Sequence, residues 1–495
     1  MKNNLYAVIF ICAILIISGC NNNIIPSEAI VVGSELSIYP EYSNIDIPVN
    51  IAPLNFWINE NYSKAIIEIK GENKSFILKT SSFVSIPLKK WKRLLADNSG
   101  KTLIITVFLK SDGKWKKYPG FAWNIVNHKI DSHLMYRLIE PGYSGWGRMG
   151  IYQRNLENFK ESAILDNTLT SGNCMNCHTV CNQNPDYLLF HVRNKGGGTF
   201  FIRDNEIRKI NIKTNEMSYP GTYPAWHPSG RYAVFVSNDV RQSYHTNPDK
   251  RTEVFDVTSD LVIYDIENNE VLSASSIGSK TNNESFATFS PDGRRLYFCS
   301  VTNSIDLPIE YTKVQYSLMA VDFDPDTRRI GEKVDTLING PAMNKSISHP
   351  HVSPDGQYIM YSLADYGTFQ SWNKEADLWL YNLNSGINRP LHEINSNMPE
   401  SCNTWSSCSN WIVFSSRRED GLYNRPYIAY KKEDGSFGKP FIVPQKNPNH
   451  YKSLFKAYNL PELMNGPVTV SPYRLAEIVN NPKYHTIQAQ TAVSK

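Results

Sequence analysis

Apolar and polar residues alternate along this chain mostly with the period of a β-strand, and one strand pattern returns at nearly fixed intervals. Leu5 to Ile17 is an unbroken apolar run, too short to span a bilayer with ease. Between residues 30 and 125 the strand period shows at Ala65-Ile66-Ile67-Glu68-Ile69-Lys70, Ser75-Phe76-Ile77-Leu78 and Thr102-Leu103-Ile104-Ile105-Thr106-Val107-Phe108. The spacing over Leu88 to Ala96 predicts a short helix. Together these predict a small β-sandwich-like domain over 30–125, holding the rest of the chain off a membrane or contacting a partner.

The recurring pattern begins at Trp226-His227-Pro228-Ser229-Gly230-Arg231-Tyr232-Ala233-Val234-Phe235 and returns at Phe289-Ser290-Pro291-Asp292-Gly293 and Val352-Ser353-Pro354-Asp355-Gly356. An eroded copy runs from Trp405 through Ser409 to Phe414. A weaker one, Pro185 to Val192, lacks the turn glycine. The turn residues stand at 230, 293, 356 and 409, giving spacings of 63, 63 and 53. Each copy reads as a strand, a tight turn and a second alternating strand, with a third strand following, as at Asp260 to Asp265 and Asp377 to Asn382. One such unit cannot bury both faces, so the copies stack, and radial stacking closes a β-propeller.

These Ser-Pro-Asp-Gly repeats resemble the TolB-type propeller family (PD40 or WD40-like repeats) over about residues 180 to 445. The resemblance implies an all-β fold of six blades. Five copies are visible, so the sixth is expected from Met135 to Arg154, from the tail, or from both, placing the propeller at 130–445. The tail, 446–495, with a helix over Tyr473 to Val479, is expected to pack along it. Distances from turn to third strand vary as 30, 24, 21 and 17 residues, always in the same connection. In a propeller these insertions share one face. They carry Tyr244, His245, Tyr311, Tyr316, Tyr366, Phe369, Trp372 and Tyr423, which either form a binding rim or pack the loops together.

Composition adds limits. With 28 Tyr, 28 Pro and 27 Gly, the chain suits a turn-rich β protein. Its net charge of +4 is small for 495 residues, and no concentrated basic stripe marks a nucleic-acid binder. Gly142-Tyr143-Ser144-Gly145 resembles part of a nucleophile elbow, but Trp146 stands where glycine is needed, which argues against a serine peptidase.

The amino terminus reads as an export signal: Lys2, the apolar run, then Ile17-Ser18-Gly19-Cys20. This resembles the lipobox of bacterial lipoproteins, which implies a signal over residues 1–20 cleaved just before Cys20, so that Cys20 becomes the first mature residue and carries the lipid, with a polar tether over 21–29. An ordinary signal peptide or small anchor helix is the alternative. Either way the body is expected in the cell envelope, periplasmic or at the outer membrane.

The chemistry centres on Cys174-Met175-Asn176-Cys177-His178. Cys-x-x-Cys-His is the attachment signature of c-type haem, with Cys174 and Cys177 bonded to the porphyrin and His178 as proximal iron ligand. A second iron ligand is expected from His191, beside the Gly196-Gly197-Gly198 run, or from Met217, ahead of Tyr219-Pro220-Gly221. Alternatives remain at this stage: zinc held by Cys174, Cys177, Cys181 and His178, or a Cys174–Cys177 redox disulfide. Cys402 and Cys408 form a further candidate disulfide. His227, His349 and His351 each precede a turn and either cap it or converge on the propeller axis. The expectation is a lipid-anchored monohaem cytochrome that moves electrons or senses through haem, working with an envelope or redox partner. The alternative is a haem-free propeller scaffold that binds a protein or glycan on its loop rim.

Overall fold

A computed structural model describes residues 25–140, 147–247, 250–481 and 486–492. Cys20 and the Gly142–Trp146 segment lie outside the described residues.

The repeats form six four-stranded antiparallel sheets. Blade 2 runs through Met175–Cys181, Asn184–Val192, Gly198–Arg203 and Glu206–Asn211. Blade 3 begins at Gly221–Trp226, blade 4 at Asn282–Phe289, blade 5 at Ser346–Val352 and blade 6 at Glu400–Trp405. Blade 1 is assembled from both ends of the propeller. Its three outer strands are His133–Ile139, Gly150–Asn155 and Glu161–Asp166, and its innermost strand is Ala457–Met464. Each innermost strand packs against the next, and Ala457–Met464 meets both Met175–Cys181 and Glu400–Trp405, which closes the ring. Separate apolar clusters fill the gaps between neighbouring blades 1 and 2, 2 and 3, 3 and 4, and 4 and 5.

Blade 1 thus draws on both sources the sequence offered, Met135 to Arg154 and the tail. The boundary at 445 changes, because Pro461-Glu462-Leu463-Met464 belongs to the strand that completes blade 1. A single strand without its turn and partner carries no repeat signature, which is why the pattern alone ended the propeller at 445. The Cys-x-x-Cys-His segment runs directly into a blade: Met175–Cys181 is the innermost strand of blade 2. The tail helix is present as Pro472–Asn480. Beyond it, Ile487–Gln488 and Gln490–Thr491 add parallel edge strands to blades 2 and 3, covering backbone that would otherwise be open to pairing.

The amino-terminal domain is also β-rich. Seven strands form one mixed sheet, and Ile38–Tyr39 pairs with Trp57–Ile58 as a second small sheet. The predicted helix spans Leu88–Asp97 and buries Trp91, Leu94 and Leu95. Its core is continuous with that of blade 6 and blade 1, through contacts such as Tyr42 on Phe441, with ring centroids 6.5 Å apart. No helix among the described residues is long and apolar enough to cross a membrane.

If Ala457–Met464 closes the ring, its fully buried Leu463 matters far more than the exposed Tyr473 of the tail helix. Leu463→Ala is expected to cost about 2–5 kcal/mol in urea unfolding, whereas Tyr473→Ala stays within about 0.5 kcal/mol.

Candidate central cavity

All six innermost strands carry the same distortion. Each has a register break at mid-strand, and at each break a non-glycine residue takes positive φ: Leu460 (52°), Cys177 (52°), Tyr223 (45°), Phe286 (37°), His349 (51°) and Cys402 (52°). A bulge of this kind sets an extra residue against its partner strand and re-aims the side chains beside it. The residue facing each bulge is aromatic and buried: Tyr136, Phe190, Phe235, Phe298, Tyr361 and Phe414. Bulky side chains at positive φ are costly, and such strain collects at functional sites.

The six bulges surround one central cavity of about 450 Å³, within the range of ligand sites. Its wall is uneven. Blades 6, 1 and 2 contribute Arg417, Arg137 and Arg193, while blades 3 to 5 contribute Tyr223, Phe286, His349 and, from the insertions, Phe369 and Trp372. Among the described residues no carboxylate lies within 4 Å of any of these three guanidinium groups. Arg417 donates from Nε to Asn424 Oδ1 at 2.8 Å and lies 3.1 Å over the Trp372 ring. Arg137 makes one long bond to the Met175 carbonyl at 3.4 Å. Burial pushes both guanidinium groups below their ordinary value. A buried cation without a counter-charge is a standing cost to the fold.

Buried polar atoms without protein partners collect here too. Arg137 Nε, Asn176 Oδ1, His178 Nδ1, His349 Nε2, Asn403 Oδ1 and Asn459 Oδ1 make no hydrogen bond within the protein, and all six residues line the cavity. Two tautomers follow from the partners. Ser348 Oγ donates to the Thr368 carbonyl at 2.6 Å, so His349 Nδ1 donates to Ser348 and Nε2 keeps a bare lone pair. His178 Nε2 donates to the Leu460 carbonyl at 2.8 Å, leaving Nδ1 bare. Burial holds His178 neutral, its pKa down to about 4, and His349 down to about 3. The free atoms are therefore mostly acceptors, set beside three cations.

The sequence-derived candidates divide. Cys174, Cys177 and His178 all line the cavity. His191 does not: it sits on the second strand of blade 2, bonded to Thr199 Oγ1 at 3.2 Å, and faces a groove between blades 2 and 3. Met217 is packed in the core between those blades. Neither is brought together with His178: His191 lies one strand farther from the axis, with its ring in the groove toward blade 3, and Met217 lies in the core between the two blades. The glycine run serves the tail instead: a Cβ on Gly196 would stand 2.0 Å from the Val479 carbonyl oxygen.

Cys181 occupies the turn position that Ser290, Ser353 and Ser406 hold in other blades, and its thiol points to the His227 carbonyl at 3.5 Å. That separates it from Cys177, so the four-ligand zinc arrangement is not formed. Cys402 is buried on the cavity wall while Cys408 lies exposed at the following turn. All six described cysteines are free thiols, so neither candidate disulfide is formed. His227 caps turns, accepting from the Ser229 amide at 3.1 Å and donating to the Gly293 carbonyl at 3.0 Å, whereas His349 and His351 reach the cavity. The rim aromatics do both jobs. Tyr244, Phe369 and Trp372 line the cavity, while His245 stacks on Tyr311, which meets Tyr366 edge to face.

The fit to a c-type haem is partial. Both thiols face a cavity of ligand size, but His178 Nε2, the nitrogen an axial ligand would use, is committed to Leu460. The signal overlooked in the sequence is positional. Cys177-His178 stands where blades 1, 3, 4, 5 and 6 have Leu460-Pro461, Tyr223-Pro224, Phe286-Ala287, His349-Pro350 and Cys402-Asn403. In blades 3 to 6 the first residue precedes the facing aromatic by twelve positions, and in blade 2 by thirteen.

No family model matches the chain, and no curated protein matches it. Among solved structures, tricorn protease is similar over 78% of this chain and 34% of its own, at 11% identity and a TM-score of 0.28. Prolyl oligopeptidase B from Galerina marginata is similar over 70% and 50%, at 9% identity and a TM-score of 0.33. A DUF4784 family protein from Bacteroides caccae is similar over 75% and 98%, at 8% identity and a TM-score of 0.28. This chain spans a third to a half of the two peptidases, and likeness at these scores carries no argument about function.

The cavity's ionisable groups make stability depend on pH in two opposed ways. His178 and His349 stay neutral when folded but protonate near pH 6.5 when unfolded, so their contribution is lost as pH falls below about 6.5. Glu462, raised by burial to about 8, accepts from Thr179 Oγ1 and the Val180 amide, both at 3.0 Å. Its penalty grows as pH rises from 4.5 toward 8. Glu462→Gln is expected to raise the melting temperature more at about pH 8 than at about pH 5, and His349→Asn to flatten the loss of stability on acidification. Equal shifts at both pH values would contradict the assigned burial.

Proposed function

We propose that this protein is a binding propeller whose central cavity takes a carboxylate-bearing glycan. One observation carries the reading: Arg137, Arg193 and Arg417 converge on one side of the cavity with no carboxylate within 4 Å among the described residues, although Glu140 and Glu462 also line it, and they stand beside buried acceptors that lack donors. A sugar acid supplies both deficits. Its carboxylate pairs with the guanidinium groups, and its hydroxyls donate to His178 Nδ1, His349 Nε2 and the asparagine oxygens. Tyr223, Phe286 and Trp372 offer flat apolar faces on which a sugar ring rests. A lipid on Cys20 would hold this binding domain in the envelope.

Calorimetry with trigalacturonate tests this. A Kd below about 1 mM is expected, with a loss of about tenfold or more in Arg137→Gln and in Arg417→Gln. Absence of binding, equal binding of neutral maltotriose, or preference for tetraglutamate would each overturn the glycan assignment.

A second reading is favoured by Cys174 and Cys177 lying on the same wall: a covalent haem in this cavity, supplying one-electron chemistry. In that case Cys174 and Cys177 hold the porphyrin, and His178 must release the Leu460 carbonyl before it can bind iron. A pyridine haemochrome spectrum of protein exported from a cytochrome-maturing host decides it. A c-type band that is lost in Cys174→Ser and Cys177→Ser supports haem, and its absence in the native chain ends the reading.

A further inference from the structure

The open face of the amino-terminal sheet is charged in a way the rest of the chain is not. Residues 30–125 hold thirteen Lys and Arg against eight Asp and Glu, a net +5, where the whole chain carries +4. Strand register sorts these charges onto one surface. Lys64 pairs with Lys110, Ile66 with Phe108 and Lys79, Lys70 with Ile104, and Phe108 with Lys117. Paired residues share a face, so Lys64, Lys70, Lys79, Lys110 and Lys117 stand together with two acids, Glu68 among them and Asp46 at the far edge, where it accepts from Asn124 Nδ2 at 3.0 Å. The alternate residues, such as Ile67, Ile69, Val107 and Leu109, form the core that joins the propeller, so the lysine face points away from it.

None of these five lysines has an acidic partner within 4 Å among the described residues, although Lys74, Lys92 and Lys101 elsewhere in the domain do. Apolar groups lie among them. Val31 is 76% and Ile104 44% exposed, Trp115 is half-buried beside Lys110, and Lys117 Nζ lies 5.9 Å over the Phe108 ring. Lysines interleaved with an indole and aliphatic side chains on a flat sheet match a lipid headgroup layer, where aromatic residues settle at the interface and basic ones meet anionic headgroups.

The path of the chain selects that occupant. Ala29–Val31 pairs in parallel with Lys114–Lys117 at the edge of this same sheet. Ala29 is nine residues from Cys20, at most about 30 Å of extended chain. Any anchor at Cys20 therefore holds this face within reach of the bilayer, and one lipid-type anchor gains firmness from a second, electrostatic contact.

We infer that the Lys64, Lys70, Lys79, Lys110 and Lys117 face docks on the surface of a membrane rich in anionic phospholipid. The docked sheet stands the propeller outward and leaves the central cavity and its rim free of the bilayer.

Vesicle sedimentation tests this with the chain beginning at residue 21, which keeps every described element and has no lipid, so that docking is read apart from anchoring and from glycan binding. The chain is expected to sediment with phosphatidylglycerol vesicles at low salt and not with phosphatidylcholine vesicles, with release as salt rises. Lys79→Ala and Lys117→Ala are each expected to lower the partition about fivefold, while Lys89→Ala, on the exposed side of the helix, leaves it unchanged. Circular dichroism melts confirm that the variants are folded. Equal sedimentation with both lipids, no sedimentation with either, or an unchanged partition in the lysine variants would overturn the inference.

Discussion

Closure of the ring by Ala457–Met464 is the constraint on which the rest of this structure depends. A propeller of separate blades has two exposed ends, and each would leave an apolar blade face open to water. Pairing the late strand with His133–Ile139 removes both ends at once. It also ties the carboxyl-terminal region to a segment more than 300 residues earlier, so blade 1 can be completed only after blade 6 exists. The same strand supplies Leu460, Glu462 and Asn459 to the cavity, which makes the integrity of the ring and the integrity of the site one property.

Inside the ring, repetition and difference are divided between backbone and side chain. The backbone repeats: six bulges, each facing a buried aromatic residue, set one side chain per blade toward the axis. The side chains differ, and their difference gives the cavity a basic side from blades 6, 1 and 2 and an aromatic side from blades 3 to 5. The proposed ligand, with an anionic end and a flat face, would match this polarity. The unpaired guanidinium groups and bare imidazole nitrogens are costs to the fold, and occupancy of the cavity by such a ligand would offset them.

Much of the fold was legible from local signals. The Pro-Asp-Gly turns at 293 and 356 and the glycine at 230 mark the hairpins directly, since the turn glycine takes positive φ in each, at 70° to 72°. The helix at Leu88–Asp97 and the tail helix followed from spacing. Blade 1 was only half visible, because Met135 to Arg154 carries paired strands while its inner strand lies far away and alone. The site was less legible. Cys174, Cys177 and His178 drew attention as a motif, yet the arginines that give the cavity its charge belong to no motif, and His349 looked like any residue before a turn.

What the sequence determined by itself is therefore the repeating unit, since turn chemistry and strand alternation act over a few residues and need no distant partner. What only the tertiary structure decided is which residues meet. Arg137, Arg193 and Arg417 are scattered over 280 positions and become neighbours because three blades are wedged together around one axis. His191 stands fourteen positions after Cys177 in sequence and is still kept from the cavity, because it lies on the second strand of the blade and its ring enters the groove toward blade 3. The direction of a side chain follows from its strand's register, and register is settled by pairing with a strand elsewhere in the chain.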